Sequence, residues 1–132
     1  MKFTANNLSG LALVLVTTLA MAQQPPPTDL EGAWRGRIQL PTSGREYQAE
    51  LTLARNEGTW RVTAKSPNNP CMGLLTPVSW QPAGTDGGIE LTFLGSRALT
   101  GCNDTVVAFR RIDEKTFQGK AASGLDITLT RP

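Results

Sequence analysis

From Gly32 onward, apolar and polar side chains alternate in short runs broken by glycine, asparagine, aspartate and proline. A period of two places successive side chains on opposite faces of an extended chain, so each run predicts a strand with one buried face. The first run, Ala33 to Leu40, turns Trp34, Gly36, Ile38 and Leu40 inward and Ala33, Arg35, Arg37 and Gln39 outward. The second, Tyr47 to Ala54, turns Tyr47, Ala49, Leu51 and Leu53 inward, and the third, Thr59 to Lys65, does so with Trp60, Val62 and Ala64. Shorter runs follow at Val78 to Gln81, Ile89 to Leu94, Thr105 to Ile112, Thr116 to Ala121 and Leu125 to Arg131. Turn residues such as Asn56-Glu57-Gly58 and Asp86-Gly87-Gly88 separate most of them, whereas 66–76 and 95–104 read as irregular. Eight strands in sequential hairpins predict an all-β, up-and-down antiparallel barrel, since closure removes exposed edges. A two-sheet sandwich is the alternative.

The beginning of the chain follows another pattern. Lys2, the apolar stretch Leu11 to Leu19 and the small-x-small end Ala20-Met21-Ala22 predict a secretory signal peptide over 1–22. The apolar stretch is too short to span a bilayer. Residues 23–29 form a proline-rich leader, in which Pro25, Pro26 and Pro27 favour extended polyproline II. The expected domain is then 30–132, in the periplasm or secreted.

Composition narrows the chemistry. Without the signal peptide, 12 basic side chains face 11 acidic ones, and a net charge of +1 argues against nucleic-acid or membrane partners. The chain has no histidine, which excludes Ser-His-Asp and Cys-His catalysis and histidine-based metal sites. The carboxylates are scattered as on a solvated face, so no catalytic residues, no metal and no cofactor are assigned. Cys71 and Cys102 are an even pair in an exported chain, which predicts one disulfide. In the chain-entropy picture a loop of this length contributes about 3–4 kcal/mol.

Parity also assigns individual residues. Leu125, Ile127, Leu129 and Arg131 share a face, so Arg131 points inward at the end of the last strand. In a closed even-stranded meander the last strand pairs with the first. Arg131 is therefore expected to lie over Trp34 and close one end, contributing about 0.5–2 kcal/mol. Trp60, Trp80, Phe93 and Phe109 point inward and are candidates to line a ligand cavity, with core packing the commoner fate of such side chains. Arg35 and Arg37, with Arg61 and Lys65 alongside, read as solvated surface neutralised by outward carboxylates such as Glu50.

The stretch Leu30-Glu31-Gly32-Ala33-Trp34 resembles the G-x-W opening of calycin-type barrels, among them lipocalins, fatty-acid-binding proteins, avidins and bacterial metalloprotease inhibitors. A more specific resemblance is to the exported inhibitors of serralysin-type zinc proteases. It rests on the leader before G-x-W, Gly58-Thr59-Trp60 opening a strand, Cys71 in the next loop, Trp80-x-Pro82 before a glycine-rich hairpin, and Val106-Val107-Ala108-Phe109. In that family the leader enters the protease cleft and its terminal amine approaches the zinc. The resemblance thus implies a non-enzymatic inhibitor of an exported protease, with Gln23, Gln24, Pro25, Pro26 and Pro27 as the inhibitory segment. The family's disulfide ties the second strand, at a position matching the vicinity of Ala49, to the loop after the third. Here the partner cysteine is Cys102. A small-molecule carrier of the lipocalin or avidin type is the alternative function, and a monomer is expected.

Overall fold

The structure is a computed structural model and describes residues 30–132. The expected signal peptide and leader, 1–29, lie outside the described residues. Eight strands follow in order: β1 (Gly32–Gln39), β2 (Glu46–Leu53), β3 (Glu57–Val62), β4 (Thr76–Ala83), β5 (Gly88–Leu94), β6 (Asp104–Asp113), β7 (Thr116–Lys120) and β8 (Asp126–Thr130). Each pairs antiparallel with the next, and β8 closes on β1 with Gly36 opposite Leu129 and Ile38 opposite Ile127. The barrel expected from the alternation is the one observed, and the sandwich is not.

The inward parities hold strand by strand. Trp34, Ile38, Leu51, Leu53, Trp60, Val78, Trp80, Leu91, Val107, Phe109, Phe117 and Leu129 form one continuous core. The outer wall is polar, and Arg35, Glu50 and Arg61 lie side by side across β1, β2 and β3. Arg37 Nε meets Glu46 Oε1 at 2.9 Å, so the basic stripe is interleaved with carboxylates.

Four details differ from the alternation pattern. β3 covers Glu57–Val62 rather than Thr59 to Lys65, and Gly58, expected in the turn, pairs with Leu53 and Val78. β4 runs from Thr76 to Ala83 through two prolines, longer than the expected Val78 to Gln81. Trp80 N–H donates to Asn56 O, so alternate amides of β4 face β3 or β5. Pro82 falls on the β3-facing set, beyond the last β3 partner, and Pro77 falls on the β5-facing set, before the first β5 partner. Neither ring therefore removes a ladder bond, which is what allows proline inside a barrel strand. The expected irregular region 95–104 contains a single helical turn, α1 (Gly95–Ala98). A register shift between Arg111 and Asp113 marks a bulge in β6 beside β7, and Ile112 there is exposed.

The barrel has two unlike ends. The described chain begins and β8 finishes at one of them, together with the β2–β3, β4–β5 and β6–β7 turns. Leu30 is 1% exposed there and accepts a hydrogen bond from Trp34 Nε1 at 2.9 Å. The Arg131 guanidinium lies 4.9 Å from the Trp34 ring centroid and donates to Glu31 O. Phe117 meets Trp34 edge-on, with ring centroids 5.5 Å apart. Gly32 fits this plug because its φ is +114° and a Cβ would lie 3.2 Å from Arg131 Nη2. The predicted Trp34–Arg131 closure is thus present, with the guanidinium also tying down the chain entry.

Candidate binding mouth of the barrel

At the opposite end the core stops short of the rim and leaves a chamber of about 510 Å³. Ile38, Tyr47, Val62, Phe93, Val107 and Ile127 form its walls, contributed by β1, β2, β3, β5, β6 and β8. Trp60 forms the floor. Its ring reaches past β2 to β1, where a Cβ on Gly36 would come within 2.7 Å of two ring carbons. Ala49, next to Gly36 across the β1–β2 ladder, keeps that part of the wall thin. Two adjacent small inward residues thus make room for one large ring. Phe93 stands edge-on to Trp60 at 5.1 Å between centroids.

The rim comes from the β3–β4, β5–β6 and β7–β8 connections and the start of β6. Ser66, Asn69, Asn103, Thr105 and Ser123 supply its polar side chains, and none of the lining residues is Asp, Glu, Lys or Arg. Cys71 on the β3–β4 loop and Cys102 on the β5–β6 loop both line the chamber and are joined in the predicted disulfide, with Cα atoms 5.7 Å apart. Cys71 is exposed and Cys102 is buried. Hydrogen bonds within each loop shape it: Cys71 N–H donates to Asn69 Oδ1 at 3.1 Å, and Ser96 donates to Asp104 Oδ1 through its N–H and hydroxyl at 3.0 and 2.7 Å. Those two bonds from Ser96 hold the Asp104 carboxyl below the ordinary aspartate range, with the Arg97 charge adding to the effect. Among the described residues no hydrogen bond or ion pair links one loop to the other, so the disulfide alone clasps this side of the rim.

All four aromatic candidates for a cavity lining are buried in the one core. Trp60 and Phe93 also line the mouth, whereas Trp80 and Phe109 do not. Trp80 donates from Nε1 to Ala54 O at 2.8 Å near the plugged end. Phe109 borders a separate, open depression beside Ala83, Gly84 and Lys120. Trp34 and Arg131 are at the far end, and Gln23, Gln24, Pro25, Pro26 and Pro27 lie outside the described residues. Tyr47 and Ile127 were legible only as inward residues, because parity fixes a face and not how far along the lumen packing extends. Among the described residues, no group of three or more His, Cys, Asp or Glu side chains is placed to hold a metal ion.

No family model matches the chain. No curated protein matches it. Among solved structures, a redesigned β-barrel is similar at a TM-score of 0.47 and 13% identity, covering 79% of this chain and 92% of its own. Nothing about function is carried over from that likeness.

Proposed function

We propose that the protein is an exported, non-enzymatic, calycin-like binding protein that holds a small molecule in the mouth of its barrel. The observation that carries this reading is the chamber itself. A barrel of eight strands is just wide enough for side chains to fill or for one small ligand. Here filling stops at Trp60 and leaves a space within the usual range for small-molecule sites, about 300–1,000 Å³. The disulfide at the rim fits an oxidising compartment, in keeping with the signal-peptide pattern. Native mass spectrometry of the protein isolated from its own host is expected to show a bound small molecule. Thr105→Trp places an indole in the mouth at an exposed position and should abolish that adduct with little change in melting temperature. No adduct, or an adduct retained by the variant, contradicts the reading.

The protease-inhibitor reading has one observation in its favour. Leu30 is buried and Trp34 Nε1 holds its carbonyl, so the segment before it would leave from a fixed root. A fixed root lowers the ordering cost of inserting a leader into a cleft. Deleting 23–27 should then abolish inhibition of an exported zinc protease while leaving thermal stability unchanged. Undiminished inhibition by the truncated protein removes this reading. The two readings use opposite ends of the barrel, so each experiment leaves the other interpretable.

A further inference from the structure

The three tryptophans differ in one respect. Trp34 and Trp80 each donate their indole N–H to a backbone carbonyl. Trp60 is 8% exposed, and its N–H has no acceptor among the described residues. No fully buried side-chain polar atom lacks a partner among those residues, so the Trp60 Nε1 keeps access to open space. The open space that Trp60 borders is the mouth chamber. A largely buried indole thus offers one unused donor at the base of an apolar chamber.

The rest of the lining restricts what could use it. Ile38, Val62, Phe93, Val107 and Ile127 present only hydrocarbon, and the edge-on Trp60–Phe93 pair leaves ring surface for a planar group. A charged ligand entering here would lose its hydration and meet no counter-charge among the lining residues. Polar side chains occur at the rim, where an uncharged polar end can remain wet.

We propose that the mouth takes an uncharged, ring-bearing ligand whose acceptor oxygen receives the hydrogen bond of Trp60 Nε1. This deepens the small-molecule reading and rests on it. Four compounds sharing one ring system separate its parts: acetylnaphthalene, ethylnaphthalene, naphthoate and naphthylmethylammonium, each titrated calorimetrically into the full chain. Acetylnaphthalene should bind about fivefold more tightly than ethylnaphthalene, the effect of one added hydrogen bond. Both charged compounds should bind at least about tenfold more weakly than acetylnaphthalene. Trp60→Phe keeps a ring and removes the donor, so it should erase the acetyl-over-ethyl preference. Thr105→Lys, at an exposed lining position, should raise naphthoate affinity at least about tenfold by supplying the missing charge.

Equal binding of the acetyl and ethyl compounds, or a preference that survives Trp60→Phe, overturns the assigned donor and leaves the mouth as a site. Charged compounds binding as well as neutral ones, or naphthoate indifferent to Thr105→Lys, overturn the ligand class. Failure of all four to bind the wild-type chain overturns this proposal while the host-derived adduct still decides the broader reading.

Discussion

Two glycines show how single residues organise the barrel. Gly32 lets the chain turn under the Arg131 guanidinium, and Gly36 lets the Trp60 ring reach the wall of β1. Arg131→Ala removes both the stacking on Trp34 and the bond to Glu31 O, and should cost about 1–3 kcal/mol in urea denaturation. Arg131→Lys should recover only part of this loss, because an ammonium lacks the planar fork. Equal stability of all three proteins would remove the closure from the account. Gly36→Ala should push the Trp60 ring or strain the wall, costing about 1–3 kcal/mol. Its mark would be a changed Trp60 fluorescence with the Trp34 and Trp80 surroundings intact. Trp34–Arg131 was legible because parity and closure alone bring those two ends together. The Trp60 floor was not, since it depends on Gly36 and Ala49 being neighbours across a ladder whose register the sequence does not state.

At the scale of elements, the alternation placed all eight strands, and the misses fall where local chemistry outweighs pattern. Pro77 and Pro82 shortened the expected fourth strand, yet each sits where its missing N–H has no ladder partner. The two rim loops joined by the disulfide carry no periodicity, so neither α1 nor the shape of the mouth could be read from it. Reducing Cys71–Cys102 should lower stability by up to about 4 kcal/mol. It should also speed amide exchange in 66–75 and 95–103 while the plugged end remains protected. Uniformly faster exchange would instead mean that the disulfide holds the whole barrel. Asp104 adds an acid-sensitive part. Its carboxyl titrates lower folded than unfolded, so its contribution is present above the ordinary aspartate value and is lost as pH falls through the depressed one. Ser96 amide exchange, corrected for intrinsic rates, should therefore accelerate only in strong acid. Asp104→Asn should accelerate it already at neutral pH, and an unchanged rate there would contradict that role.

At the scale of the whole barrel, the described residues form a tube with one end sealed and the other left open. Sealing uses the chain entry at Leu30, the Trp34–Phe117 pair and Arg131, all at the end where the described residues begin. The opposite end ends in a shallow aromatic floor beneath two loops clasped by a disulfide. This asymmetry is what favours ligand binding over a uniformly filled barrel. The central claim, that the mouth is the binding site, is tested most directly by titrating acetylnaphthalene into the protein and following backbone amides by NMR. The account predicts shifts confined to Trp60, Phe93, Thr105, Val107 and Ile127, with Trp34, Trp80 and Phe117 unmoved. Shifts centred on Trp34 and Phe117 would contradict it, and an absence of shifts would overturn the ring-bearing ligand class.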